Sequence, residues 1–384
     1  MAKKSTPNID PSDLVGIIHE TINKNDKMKS YYLSNSSDNP ANVKDWVSTG
    51  NEILDLIISN IPNGGLPFGR MVEIYGPNSS GKSLIAGHIL AETQKRDGIG
   101  ILFDTEFALH EQFMKSIGIN PEKLLHIPSE FLEDVFSEIE NIVSVVRKNN
   151  KDVLITIVVD SVMGAKTKND DATGYELTGY NTYKARLISQ STRMLSSLLA
   201  KHKILLVFIN QVRSNVGAFG HADKNITSGG QGIPFHSSVR IALGTLGKIK
   251  YKDEAVGVSV KATIKKNKIG PPFKSIEFDI FFNSGMDSSK SWVNAGKKAN
   301  VLVKAKTKGY LKFSDDDSSD EITMFRESDI KNKLKDVEFK NKLYNLISNY
   351  YIMEYSDPNK VYNEDELNIV NEEDNEILLE EDED

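Results

Sequence analysis

The chain has 384 residues, 39% apolar and 26% charged, which is the length of one large domain plus smaller ones and the composition of an ordinary globular protein. Without a single cysteine it has no disulfide, thiolate zinc site, iron–sulfur cluster or cysteine nucleophile, and its seven scattered histidines form no metal-ligand pattern. The net charge of −7 hides an uneven distribution, because residues 364–384 hold twelve Asp and Glu and no Lys or Arg, and setting them aside leaves residues 1–363 at +5. A mildly basic body with an acidic tail suits a protein that binds a polyanion and carries its own competitor for that surface. The opening Met1-Ala2-Lys3-Lys4 is polar and no apolar run approaches bilayer-spanning length, so a cytoplasmic protein without a membrane partner is expected.

In chain order, Ser12 can cap a helix in which Leu14, Ile17, Ile18 and Ile22 recur at helical spacing. Residues 34–40 read as linker, so residues 1–45 are expected to be a helix and linker whose apolar stripe packs on a neighbouring subunit. From residue 46 to 285, short β-rich runs alternate with helical patterns, the signature of an α/β core with a mostly parallel, helix-flanked sheet. Strands are predicted at 72–75, 100–104, 153–160, 204–210, 239–243, 258–264 and 276–282, and helices at 82–96, 132–148 and 183–201. The run 153–159 is apolar on both faces, as a central parallel strand must be. A small lysine-rich α+β domain is expected over 286–360. In it Lys297, Lys298, Lys304, Lys306, Lys308 and Lys312 precede an acidic loop at 315–320 and a helical stripe of Phe339, Leu343, Leu346, Ile347 and Tyr350. Residues 361–384 are expected to be a disordered acidic tail.

Gly76-Pro77-Asn78-Ser79-Ser80-Gly81-Lys82-Ser83 fits the P-loop pattern G-x-x-x-x-G-K-[ST] and lies between a predicted strand and a predicted helix. Such a loop lets backbone N–H groups wrap phosphate oxygens at a helix N-terminus, with Lys82 reaching the β- and γ-phosphates of ATP and the Ser83 hydroxyl on Mg²⁺. Asp160 ends the central strand, where α/β sheets place ligands, in the position of a Walker B carboxylate on the same Mg²⁺. Asp104 and Glu106 follow a separate strand to the same edge, and Glu106 is the candidate for orienting the attacking water.

Beyond the P-loop, the chain resembles the RecA family of DNA recombinases (RecA/UvsX type) from about Trp46 to Gly285. The resemblance is carried by Gly65-Leu66-Pro67-Phe68-Gly69-Arg70, Glu73-Ile74-Tyr75-Gly76-Pro77, Phe103-Asp104-Thr105-Glu106-Phe107-Ala108-Leu109, Phe208-Ile209-Asn210-Gln211-Val212-Arg213 and Lys266-Asn267-Lys268-Ile269-Gly270-Pro271-Pro272-Phe273-Lys274. It implies a RecA-like core with an N-terminal oligomerisation helix. It makes Gln211 the sensor of the γ-phosphate and sends Lys266 and Lys268 across a filament interface to the neighbour's ATP. It also makes residues 213–232 the second DNA-binding loop, about 20 residues without regular structure, with Arg213, Val216, Phe219, Lys224, Gly229 and Gly230 as its DNA-binding set. In such a loop basic side chains meet phosphates while Val216 or Phe219 wedges or stacks against bases. Arg186 and Arg193 match family arginines that face DNA, and Phe113 stands where the family has a tyrosine on the adenine. Three departures are His110, Ser83 for threonine, and a first DNA-binding loop at about 169–181 that differs in length and carries Asp170 and Asp171. The weaker match around this first loop and in the C-terminal module points to a divergent, phage-encoded member.

The function the resemblance implies is ATP-dependent assembly of a helical homo-oligomeric filament on single-stranded DNA, followed by homologous pairing with double-stranded DNA and strand exchange. A single-strand-binding protein and a mediator are the implied partners. A hexameric helicase-like motor would share the P-loop, Glu106 and Asp160 but lack the Lys266/Lys268 pair and the glycine-bearing loop after Gln211. A non-catalytic filament or mediator protein would have no need of intact Lys82, Ser83, Glu106 and Asp160 together.

Overall fold

A computed structural model describes residues 10–24, 29–32, 39, 42–107, 111–169, 180–214, 225–227, 229–315 and 324–354. The chain divides into two units, Met1–Lys44 and Asp45–Asp384. In the first, helix α1 (Pro11–Asn23) leaves Leu14, Ile17 and Ile18 exposed, and the Asn23 side chain accepts the N–H of Ser30.

The second unit begins with β1 (Trp46–Val47), α2 (Glu52–Ser59), β2 (Leu66–Pro67), β3 (Met71–Gly76) and α3 (Lys82–Lys95). It continues through β4 (Ile99–Asp104), α4 (Glu111–Ser116), β5 (Leu124–Pro128), α5 (Leu132–Asn149), β6 (Ile155–Asp160), α6 (Tyr180–His202), β7 (Ile204–Ser214) and β8 (Asn225–Thr227). Then come α7 (Gly232–His236), β9 (Val239–Tyr251), β10 (Glu254–Asn267), β11 (Ser275–Phe281) and β12 (Gly285–Asp287). The chain ends in α8 (Ser289–Lys298), β13 (Leu302–Lys304), β14 (Tyr310–Phe313), β15 (Phe325–Arg326), α9 (Ile330–Lys333) and α10 (Val337–Tyr351).

The large sheet runs β12-β11-β10-β9-β3-β7-β6-β4-β5. From β9 to β5 every neighbouring pair is parallel, while β9 to β12 form an antiparallel meander, so the sheet is mixed. Strand alternation sorts its side chains onto two faces. On β7, Leu205, Val207 and Ile209 enter the cluster under α2 and α3, and Ile204, Leu206 and Phe208 enter the one under α5 and α6. Helix α5 shows the matching period, with Leu132, Val135, Phe136, Ile139 and Val143 buried on one stripe, each burial stabilising by roughly 1.5–3 kcal/mol. The strand predicted from residue 153 starts at Ile155, because the Asn150 side chain takes the Val153 N–H and Arg147 donates to the Val153 carbonyl.

The C-terminal elements add a small sheet, β13-β14-β15, and share the core of the large unit. Trp292, Leu343, Tyr344 and Ile347 belong to the same apolar cluster as α2. The Tyr344 hydroxyl accepts the Asn63 N–H at 2.9 Å, and Asn60 exchanges two hydrogen bonds with the backbone of Met353.

Candidate active site and DNA interface

At the end of β3 the chain turns into α3 through residues 77–81, with Ser79 and Gly81 in the left-handed region at φ 59° and 87°. A Cβ on Gly81 would come within 2.2 Å of Ile280 Cδ1, so the second P-loop glycine is favoured by its positive φ and any side chain there would displace Ile280. Lys82 Nζ donates to the Pro77 carbonyl at 2.6 Å and Ser80 Oγ to the same oxygen at 2.9 Å, which folds the loop over its own backbone. Burial pulls the Lys82 ammonium below its usual pKa, and the carboxylates of Asp160 and Glu106 oppose that shift. Asn78, Ser79 and Ser83 remain exposed.

Parallel register brings the other candidates to this edge. Gln211 pairs with Gly76 across β7 and β3, and Asp104 pairs with Asp160 across β4 and β6. The Asp160 carboxyl is pushed up to about 6, first by burial and then by the charges of Glu106 and Asp104, against a hydrogen bond from Ser83 and the charge of Lys82. The crowded, oxygen-only pair of Ser83 and Asp160 fits a hard divalent cation. Among the described residues no group of three or more His, Cys, Asp or Glu could hold a metal by itself.

Glu106 is held from several directions. Its Oε1 accepts from Ser161 Oγ at 2.6 Å and from Gln211 Nε2 at 3.3 Å, and its N–H donates to Asp104 Oδ1 at 3.1 Å. Thr105 Oγ1 donates to the Ser161 carbonyl and accepts the Ser161 N–H, bracing the end of β4 against a cis Asp160–Ser161 peptide. Behind Gln211, Asn210 joins the buried Glu73, which is also paired to Arg240. Sequence reasoning missed Ser161, His126, whose Nε2 lies 3.1 Å from Asp104 Oδ2, and the Glu73–Asn210–Arg240 group, since each contact joins segments far apart in the chain. Ser161, directly after the Walker B aspartate, was the one within reach of a local reading.

Beside the P-loop lies a cavity of about 310 Å³, lined by Ser79, Gly81, Lys82 and Ser83 of the loop and by Phe113, Val258, Ile280, Phe281 and Phe282. An apolar slot with aromatic walls next to a phosphate loop suits a planar base. Phe113 is therefore brought to the nucleotide residues, as is the unpredicted Phe281–Phe282 pair. His110 lies outside the described residues.

Lys266 and Lys268 are not brought to this P-loop. Lys266 Nζ donates to the carbonyls of Pro234 and Phe235, and the Lys268 N–H donates to Ser238, whose own N–H bonds Met71 at the start of β3. Lys268 thus lies about a strand length, roughly 17 Å, from Gly76.

The second loop needs a correction. Its base is regular, because β7 extends to Ser214 and β8 pairs with it as Val212↔Thr227, Arg213↔Ile226 and Ser214↔Asn225. The β-branched residues on both arms favour that pairing. Val216, Phe219 and Lys224 lie outside the described residues, as does most of the first loop, including Asp170 and Asp171. Gly229 and Gly230 sit at φ 93° and 77°, and added Cβ atoms would meet Ile188 and Ala185 of α6 at 2.8 and 2.9 Å. Their glycine identity thus has a packing cause. Arg186 and Arg193 are exposed on α6.

Residues 18–287 match the family model described as the RecA N-terminal domain. The chain belongs to the RecA family. This RecA-family protein is 35% identical to "Protein RecA" of Campylobacter lari over 261 residues, 68% of this chain and 73% of that one. It is 34% identical to that of Wolinella succinogenes over 317 residues, 74% and 87% of the two chains, and 37% identical to that of Paramagnetospirillum magneticum over 260 residues, 67% and 69%. As a family member it is an ATP-dependent DNA recombination protein with the RecA-like α/β core. No helix among its described residues is long and apolar enough to cross a membrane.

Proposed function

We propose that this RecA-family protein hydrolyses ATP at its P-loop, assembles in the ATP-bound form as a helical filament on single-stranded DNA, and pairs and exchanges that strand with homologous double-stranded DNA. The observation that carries the proposal is the contact of Gln211 with Glu106 at the head of β7, which runs directly into the loop assigned to DNA. One side chain reaches both the hydrolytic carboxylate and the strand that leads to Arg213, so phosphate state and loop position are mechanically joined.

In this reading backbone N–H groups of residues 76–83 and Lys82 hold the phosphates, Phe113 stacks on the base, and Glu106 orients water for in-line attack. Mg²⁺, held by Ser83 and Asp160, would neutralise charge on the β- and γ-phosphates when bound. Lys266, whose ammonium bonds the Pro234 and Phe235 carbonyls, and Lys268 serve the ATP of the adjoining subunit. Arg186, Arg193, Arg213 and Lys224 meet DNA phosphates, Val216 and Phe219 contact bases, and Gly229 and Gly230 shape the end of the loop. Helix α1 joins subunits, the lysine-rich module over 286–360 meets duplex DNA, and the tail at 361–384 competes for that module. A cytoplasmic location, in the host if the gene is phage-borne, and cooperation with a single-strand-binding protein and a mediator complete the proposal.

The test is electron microscopy of the protein mixed with single-stranded DNA, Mg²⁺ and a non-hydrolysable ATP analogue. A helical filament is expected. Closed rings would replace this reading with that of a hexameric motor.

A further inference from the structure

We propose that Ser161 is a positioning residue for ATP hydrolysis: its hydroxyl seats the Glu106 carboxylate and keeps it aimed when Gln211 follows the γ-phosphate. The proposal rests on the assignment of Glu106 as the carboxylate that orients the attacking water.

Glu106 is exposed, and an exposed glutamate samples several rotamers unless a fixed partner selects one. Two groups bond its Oε1, Ser161 Oγ at 2.6 Å and Gln211 Nε2 at 3.3 Å. They differ in what holds them. Gln211 lies on a strand that runs into the loop assigned to DNA, and it is the group proposed to respond to the γ-phosphate. Ser161 is 1% exposed, and one side chain clamps its main chain on both sides: Thr105 Oγ1 donates to its carbonyl at 2.6 Å and accepts its N–H at 2.9 Å. Thr105 directly precedes Glu106, so the hydroxyl and the carboxylate it holds are fixed to the same point of the chain.

The direction of the hydroxyl is set as well. The Gly164 N–H donates to Ser161 Oγ at 3.2 Å, and an ionised Glu106 can only accept, so the Ser161 proton goes to Oε1. Gly164 also flanks the glutamate stem, since a Cβ there would lie 2.9 Å from Glu106 Cγ. Holding the carboxylate in one rotamer before the water arrives removes an ordering cost from the hydrolytic step.

The experiment is single-turnover ATP hydrolysis with saturating single-stranded DNA. It compares the wild type, Ser161→Ala, Ser161→Cys, Glu106→Ala and the Ser161→Ala, Glu106→Ala double variant, and is paired with ATP affinity and with DNA binding on a non-hydrolysable ATP analogue. Ser161→Ala is expected to lower the maximal rate about tenfold, the equivalent of one hydrogen bond to a charged group, with ATP affinity and DNA binding unchanged. In the Glu106→Ala background the same change should cost less than about twofold, because no carboxylate is left to seat. A bond that served only to brace Gly164 would cost the same in both backgrounds. Ser161→Cys keeps the bulk with a weaker donor, should lose rate in the same direction, and takes the place of Ser161→Ala throughout if that variant does not fold. Wild-type or faster hydrolysis in Ser161→Ala, a loss that persists in full without Glu106, or a parallel loss of DNA binding overturns the positioning role, while slow hydrolysis by Glu106→Ala leaves the hydrolytic assignment standing. Wild-type hydrolysis by Glu106→Ala removes that assignment, and this proposal with it.

Discussion

At the edge where β3, β4, β6 and β7 run out, Lys82, Asp160, Glu106 and Gln211 face one another, and their charges and hydrogen bonds are answered within one chain. At the edge where β3 and β9 begin, Arg193, His236, Lys266 and Lys268 gather instead. The cations of Lys268, Lys266 and Arg193 all push His236 down, after burial. Glu73 does attract Lys266, but it is buried and paired with Arg240. The first edge brings the proposed nucleotide residues together within one chain. The second gathers basic groups that depress one another, and under the proposal above it is one half of a composite site.

The largest effect expected is on the first edge. Lys82→Ala removes the charge held over the phosphates and should lower DNA-stimulated ATP turnover by on the order of 10³-fold. The contrast sharpens if Lys82→Ala protein is mixed with an inactive Lys266→Ala, Lys268→Ala double variant. In an equal mixture about one interface in four joins an intact P-loop to intact lysines and should regain turnover. Co-assembly without recovery would show that the second edge does not act across subunits.

Glu106→Gln should slow hydrolysis by about 10²- to 10⁴-fold while ATP binding and assembly persist, so its complexes with DNA should outlast those of the wild type when followed by light scattering. Gln211→Ala leaves the phosphate contacts in place but cuts the link to β7. The increase in single-strand affinity that ATP produces should then shrink by about 5- to 150-fold, read by fluorescence anisotropy with and without the analogue.

At the second edge the predicted effect is smaller and depends on pH. Burial, with Lys268 and Arg240 alongside, brings Lys266 down to about 8. Its charge is therefore present below pH 8 and lost as pH rises through that value. Turnover that depends on the subunit contact should fall by up to about tenfold between pH 7 and 9, and Lys266→Arg, which stays charged, should flatten the profile. The smallest change is expected from truncation after Asn363, which removes the twelve acidic residues of the tail. Duplex binding should tighten a few-fold at low salt and the gain should vanish as salt screens the tail. Unchanged affinity in titrations at low ionic strength would leave the tail a solubilising role only.

The P-loop, the aspartate that ends β6 and the strands β3, β4, β6 and β7 were legible in the sequence, because each is written in a short contiguous signal. Eight residues set the phosphate turn at 76–83, and one apolar run ending in an acid marks β6 and Asp160. Strand β5 was not legible. Its five residues alternate weakly between half-buried and exposed, as an edge strand permits, yet it is the strand that delivers His126 to Asp104. The hairpin base at Val212–Thr227 was hidden for a related reason, since glycines and polar residues around it read locally as loop.

Local composition determined the central strands, the long helices and the residues that fit a phosphate turn, since those properties depend on neighbours within a few positions. Tertiary structure alone decided that Phe113 and Phe281, 168 positions apart, share one pocket wall. It also decided that Gln211 touches Glu106, that Glu73 is buried against Arg240, and that Lys266 bonds the Pro234 and Phe235 carbonyls. Those outcomes follow from register across the sheet and from burying both of its faces at once, a free energy summed over distant pairs that no short stretch of sequence encodes.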